Sequence, residues 1–422
     1  MAKNNNLTDF LTDVANAIRE KKGTAGKINP QNFSSEISSI ETGGGGGDVI
    51  PKASLNDVTF FDYNGHILYS YSYTDFLALN AMPELPSRNG LECTGWTHTL
   101  EDAKEYVNDY RRLNIGACYT TSNGRTQVYF DVYSDENLTR KFAHSINIAK
   151  GVTVYYGDGS SGQNSGTGYR SWTKTYPSKG SYVFEIEVAD GAVLGLGYGG
   201  ADAQYKPFFG SDVFNEGARY PNGSGLDKIY CGNKITYYHD YFAARHKMLK
   251  ELILTPAQSI GRFAFYETSI RCAIIPYGIT SIGNQAFDSC VNLTNVVIPN
   301  SVTQLGYKEF NKAKSLRTID LPTSITSIPE YCFGDCWFLE VATIPKTVTS
   351  IGYGAFANCY SLRLVNMSQH ETVPTIDGGI LGSYMNYAKF VVPDALYDEW
   401  VAATYWNSYS SQIIKKSEWE GQ

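Results

Sequence analysis

Six histidines, 8 cysteines and 42 acidic residues are the groups in this chain that could hold a metal, attack a substrate or move a proton. Their spacing favours none of these uses. His66, His98, His144, His239, His246 and His370 make no HExxH or similar ligand pattern. His239 and His246 read as ordinary turn residues. Cys93, Cys118, Cys231, Cys272, Cys290, Cys332, Cys336 and Cys359 contain no CxxC pair and are too sparse for a disulfide scaffold. They read as reduced thiols packed as small apolar groups. The run GDGSSGQNSG lacks the GK[ST] ending of a phosphate cradle, and GSG at 223–225 lacks the frame of a nucleophile elbow. Asp158 and its neighbours offer a weak Ca²⁺ alternative. Paired carboxylates for glycan cleavage are not legible in one sequence. The expectation is no catalysis, no metal and no cofactor.

Aromatic chemistry is plentiful instead. There are 32 Tyr, 20 Phe and 6 Trp. Tyrosine joins an apolar ring to a hydroxyl, which suits sheet surfaces and recognition faces. With 35 basic and 42 acidic residues the formal charge is −7, so a broad basic surface for nucleic acid is not expected. No run of about 18 apolar residues is present, and membrane insertion is not expected. The start, MAKNNNLTDFLTDV, lacks the pattern of a secretory signal.

The elements that position these aromatics come from a repeat. SIGRFAF, SIGNQAF, QLGYKEF, SIPEYCF and SIGYGAF end at Phe265, Phe287, Phe310, Phe333 and Phe356, spaced 22, 23, 23 and 23. Phe242 lies 23 before Phe265 and marks a degenerate first copy, giving six. Pro276, Pro299, Pro322 and Pro345 keep the same beat, as do Leu293, Leu316, Leu339 and Leu362. One copy cannot bury its own apolar face, so the copies must stack. Stacking aligns Ile282, Leu305, Ile328 and Ile351 in one ladder and the phenylalanines in another. In LTNVVIP, Leu293, Val296 and Ile298 face inward while Thr294, Asn295 and Val297 face out. Six rungs about 4.8 Å apart give a rod of roughly 30 Å. Cys290, Cys336 and Cys359, three after their phenylalanines, form an inward column.

SIGNQAFDSCVNLTNVVIPNSVT at 281–303 resembles the BspA-like leucine-rich repeat almost throughout. The resemblance covers roughly 226–390 and implies a solenoid that presents an interaction surface and performs no chemistry. Residues 391–422, with Tyr397, Trp400, Val401 and Trp406 in an apolar stripe, look like the helical cap of such arrays. Positions off the inward set are expected to be exposed. Tyr307, Trp337, Tyr353 and Tyr360, with Arg317, Arg363, Asp320 and Asn366 on the strand face, are the candidate receptor-binding residues.

The N-terminal half reads as small modules. Residues 1–42 predict a helical hairpin, with Leu7, Phe10, Leu11, Val14 and Ile18 on one helix and Phe33, Ile37 and Ile40 on the next. A glycine-rich linker, 43–54, follows. Some 40 residues cannot form an independent core, so the apolar face must dock elsewhere. The order Ala15, Ala17, Ile18, Arg19, Glu20, Lys21, Gly23, Ile28, Pro30, Phe33, Ile37 and Ile40 resembles the N-terminal module of bacteriophage tail and baseplate proteins, which implies attachment to a virion through the eight apolar residues just named. Residues 55–124, with a hairpin at Asn64-Gly65 and a helix from Leu100, resemble the β-grasp-like Listeria–Bacteroides repeat. Residues 125–210, with Gly157, Asp158, Gly159, Tyr176, Gly180 and Tyr182, resemble a PKD-type immunoglobulin-like sandwich. Residues 191–210 read as a possible junction to the solenoid.

The fold expected is therefore multidomain and mainly β: helical hairpin, β-grasp-like module, PKD-like sandwich, leucine-rich-repeat solenoid at 226–390 and cap at 391–422. The function expected is that of a phage tail-fibre or tail-tip protein that binds the host surface noncovalently. It would be located in the virion, with other tail or baseplate proteins and a host glycan or protein as partners, and a homo-oligomer, guessed to be a trimer. The alternatives are a bacterial BspA-like surface adhesin and a glycan-degrading tailspike.

Overall fold

The computed structural model describes residues 57–133, 138–146, 151–164, 168–189, 194–196, 209–210, 225–382 and 387–420. The expected hairpin at 1–42 and linker at 43–54 lie outside the described residues.

The first described unit of structure is a four-stranded sheet of order β2-β1-β4-β3, built from β1 (Val58–Phe61), β2 (Ile67–Tyr71), β3 (Leu91–Trp96) and β4 (Leu113–Thr121). β1 and β2 form a hairpin through Gly65, whose φ of 86° favours glycine. β1 and β4 pair in parallel. The crossover carries helix α1 (Tyr73–Leu77) and helix α2 (Leu100–Tyr110). Thr99 caps α2 by accepting from Asp102 N–H, and Arg111 ends it in the left-handed conformation. Ala103, Tyr106, Val107 and Tyr110 of α2 pack on Val58, Phe60, Leu113 and Ile115. The alternate β4 residues, Asn114 and Gly116, therefore face the other way.

Two further sheets follow, and neither stops at the boundary expected near 210–226. In one, residues 126–132 pair with 180–188 on one side and 226–230 on the other, and 226–230 pairs in parallel with 251–253. In the other, 139–146 pairs with 194–196, which continues in parallel to 235–238, 259–260 and 281–282. Phe142 and Phe184 stack between the sheets at 3.7 Å. One apolar core runs from Val128 to Ile413. The sheets of the first half thus pair with the opening rungs and cover an edge that a free solenoid would expose.

The repeats form a solenoid of leucine-rich-repeat type with little helix. Long-strand segments 318–320, 341–343, 364–366 and 389–392 pair in parallel, and 327–328, 350–351 and 375–376 form a second ladder. Phe265, Phe287, Phe310, Phe333 and Phe356 stack at 5.1–5.6 Å with ring planes within 20°. Each rung turns twice through left-handed residues, such as Phe263, Gln285, Lys308 and Tyr331, then Glu267, Ser289, Lys312 and Asp335. A left-handed non-glycine residue costs about 1–2 kcal/mol. The conformation sends its N–H to the next rung: Phe263 to Asn284 O, Gln285 to Tyr307 O, Ser289 to Asn311 O, Lys312 to Gly334 O. Each such bond returns about 0.5–1.5 kcal/mol, so stacking offsets the strain.

One expectation needs correction. Phe242 does not join the phenylalanine ladder. Ala243 N–H donates to Ala264 O as Phe265 N–H donates to Ala286 O, so Ala243 holds that register position. Phe242 meets Phe265 edge-on at 88°. His246, expected to be a turn residue, lies in the turn segment and is buried, at the position of Thr268 and Cys290 in later rungs. After the rung of Phe356 the array continues: Thr375–Ile376 pairs with Ser350–Ile351, and Leu381 bridges Phe356. At the end, Trp400 and Trp406 are buried and 413–415 adds a last parallel strand.

Candidate functional site

The solenoid has three surfaces that side chains on successive rungs could build: the outer face of the long strands, the corner where the loop after each phenylalanine enters a strand, and a strip before each phenylalanine.

The strand face is covered from within the chain. β4 crosses it. Asn114 N–H donates to Asp320 Oδ2 at 3.1 Å, and Arg112 Nε donates to Asp320 Oδ1 at 2.8 Å. Both charged side chains are under a tenth exposed. Tyr106 Oη donates to Leu321 O, Lys346 N–H donates to Tyr110 Oη, and Gln369 Nε2 donates to Asp109 O. Gly116 lies against Ile274; a Cβ there would stand 2.6 Å from Ile274 Cγ2. Cys118 packs with Cys272, Ile274 and Val297. Farther along, Trp419 covers Val341, Leu364 and Val391.

Two candidate residues on this face are thereby corrected. Asp320 is buried and neutralised by Arg112, and Asn366 is 4% exposed with Oδ1 accepting from Ser368 N–H. Neither is an exposed recognition group. Val297, expected to face out, does so only toward β4 and is buried. The sequence shows the alternation that points Asp320, Asn366 and Val297 outward, but not that a segment some 200 residues earlier lies over Asp320 and Val297.

The corner is open. Val291, Trp337 and Tyr360 are 40–48% exposed, and Phe338 beside Trp337 is 53% exposed. Backbone bonds hold these positions in line: Phe338 N–H donates to Lys314 O, and Ser361 N–H to Trp337 O. Trp337 and Tyr360 lie 6.2 Å apart, and Lys314 Nζ sits 3.6 Å from the Trp337 ring centroid. Tyr387 Oη donates to Tyr360 O and extends the strip. Three residues on, Arg271, Thr294, Arg317, Glu340 and Arg363 form a parallel column: Thr294 N–H donates to Arg271 O, Glu340 N–H to Arg317 O, and Arg363 N–H to Glu340 O. Arg317 and Arg363 are exposed, and Arg317 pairs with Glu340 at 2.8 Å. The structure thus groups Trp337, Tyr360, Arg317 and Arg363. Tyr307 and Tyr353 belong to another strip, before each phenylalanine, where Lys308 lies over Tyr307 and Tyr331, and Tyr331 meets Tyr353 at 5.6 Å. Phe338 and Tyr387 were not singled out from sequence. Phe338 carries a signal in retrospect, because its register partners Asn292, Ser315 and Ser361 are polar.

The groups with catalytic potential are otherwise engaged. No cluster of three metal-ligating side chains occurs among the described residues. Asp158 is held at a pKa of about 2: burial works against ionisation, and hydrogen bonds from Lys174 and Ser160 outweigh it. Cys290, Cys336 and Cys359 are buried free thiols that donate to the carbonyls of Phe265, Phe310 and Phe333. Burial pushes the Cys290 thiol up to about 12, so it is no nucleophile at neutral pH. Burial lowers His98 and His370 to about 4. Glu309 is fully buried where other rungs carry Ala286 or Ala355; Oε2 accepts from Gly306 N–H at 2.7 Å and Oε1 has no partner. Burial raises its pKa well above 4.5, and the Gly306 bond opposes the shift.

No helix of the described residues is long and apolar enough to cross a membrane. Among solved structures, a leucine-rich repeat protein of T. pallidum shares 20% identity over 46% of this chain and 92% of its own, with a TM-score of 0.31. One from Bacteroides ovatus shares 19% over 47% of this chain and 61% of its own, TM-score 0.28. A leucine rich cell surface protein from Faecalibacterium prausnitzii shares 19% over 46% and 62%, TM-score 0.22. No curated protein matches the chain. The model of the BspA type leucine rich repeat region matches residues 258–380 in six copies, and these residues are BspA-type leucine-rich repeats.

Proposed function

We propose that this chain is a noncovalent recognition protein, an adhesin of BspA-like type acting at a bacterial surface, and that the open corner of its solenoid does the binding. The observation that carries this reading is the exposed row Trp337, Phe338, Tyr360 and Tyr387 on a rigid repeat array whose other broad face is occupied by β4 and Trp419. Large aromatics on a fixed scaffold lose little conformational freedom on binding, which is why they dominate recognition surfaces. The BspA-type repeats at 258–380 favour this setting over the tail-fibre reading. The four-stranded module at 57–121 and the paired sheets of 126–188 then act as a spacer and end-cap, β-grasp-like and sandwich-like in our reading. We assign no catalytic role.

The labelled full chain should adhere to intact bacterial cells, and Trp337→Ala with Tyr360→Ala should lower adhesion. No adhesion by the unaltered chain to a broad set of cells refutes the reading. A virion setting remains the second reading, supported by the resemblance of residues 1–42 to tail attachment modules. Mass spectrometry of purified particles and of cell envelopes separates the two.

A further inference from the structure

The corner described above carries charge as well as rings. Its two columns give Lys314 with Arg317 on one rung, Trp337 with Glu340 on the next, and Tyr360 with Arg363 on the third. Arg271, exposed, begins the basic column. Counting these groups, Arg271, Lys314, Arg317 and Arg363 against Glu340 leave +3 on a chain whose formal charge is −7. A concentration of positive charge on an acidic protein is a local feature that attracts an anionic partner. The rungs repeat at about 4.8 Å, close to the length of one pyranose unit in an extended polysaccharide. Trp337 and Tyr360 are tilted 54° to one another and do not form one flat slot. Arginine supplies a planar fork that matches carboxylate oxygens in pairs.

We propose that this corner is a track for an extended, carboxylate-bearing polysaccharide. Sugar rings stack on Trp337 and Tyr360, and carboxylates meet Arg317 and Arg363. Lys314, seated over the Trp337 ring, fixes that ring and adds charge beside it. The proposal rests on the adhesin reading above and names its ligand class. An acidic protein would satisfy the charge but offers no series of rings to stack on Trp337 and Tyr360; a nucleic acid would stack, but a chain of formal charge −7 is ill suited to a polyphosphate backbone.

The test uses the full chain with polygalacturonate and with fully methyl-esterified polygalacturonate, which keeps the rings and removes the charge. Polygalacturonate should bind, and esterification should weaken binding about tenfold or more. Trp337→Ala should cost about tenfold, as recognition aromatics do, and Lys314→Ala with Arg363→Ala a similar factor. Rising salt should weaken binding, because the screening length falls from about 10 Å at 0.1 M to about 3 Å at 1 M. All these side chains are on the surface, so an unchanged melting curve shows that each variant is folded. Equal binding of the two polymers overturns the proposal. So does binding that survives Trp337→Ala, or capture of DNA or an acidic protein without binding of polygalacturonate. If the unaltered chain adheres to cells but the salt and substitution effects are absent, the adhesin reading stands and this inference falls. If it adheres to no cell, the adhesin reading itself falls.

Discussion

Replacing Glu309 with glutamine tests the energetic account of the solenoid core. The side chain is fully buried, one oxygen is bonded to Gly306 N–H, and the other has no partner. Burial holds its pKa well above 4.5 in the folded protein. In the unfolded chain it titrates near its ordinary value. Above that value the folded state binds one proton more than the unfolded state, so stability must fall as pH rises. The slope is about 1.4 kcal/mol per pH unit for as long as the native carboxyl keeps its proton. Glutamine has the same shape, can still accept from Gly306 N–H, and does not ionise. Glu309→Gln should therefore match the unaltered protein near pH 4.5 and become progressively more stable above it. Urea unfolding midpoints and slopes for both proteins at pH 5, 6 and 7 measure the difference, and subtraction removes the other titrating groups. Parallel midpoint curves would refute the assignment of a neutral, buried Glu309. Glu309→Ala, which restores the residue of neighbouring rungs, should remove the same slope while losing some packing.

Three further outcomes follow from the contacts described. Arg112→Ala strands Asp320 without its charged partner and should cost about 3–5 kcal/mol, read as faster hydrogen exchange in β4 and in 318–321; unchanged exchange would show that β4 is not held this way. His370, lowered to about 4 by burial and set edge-on to Trp400 at 6.0 Å, binds fewer protons when folded, so its contribution is lost as pH falls from 6.5 toward 4. His370→Gln should flatten the acid limb of the stability profile, measured by thermal melts between pH 4 and 7. Six of the 8 thiols are buried and free, so a thiol reagent should modify at most Cys93 and Cys118 in the native protein and all 8 in denaturant.

Much of this architecture is legible in the chain because it is local and periodic. A 22–23-residue beat of Phe, Leu and Pro determines that successive copies stack, that Ile282, Leu305, Ile328 and Ile351 point inward, and that Trp337 and Tyr360 point out. Each of these follows from one copy being unable to bury its own apolar side. The helix at Leu100–Tyr110 is legible for the same reason, since its apolar stripe and Thr99 cap are neighbours in sequence. Register in a degenerate copy is different: Phe242 and Ala243 both fit the pattern, and only the inter-rung bond to Ala264 O decides between them. So is the fate of the strand face. Alternation directs Asp320 and Asn366 outward, and an outward side chain is exposed only if nothing lies above it. Whether Arg112 reaches Asp320 depends on chain closure over some 200 residues, and no local propensity records that. Tertiary structure alone therefore covered the strand face and left the corner, with its rings and its arginines, exposed.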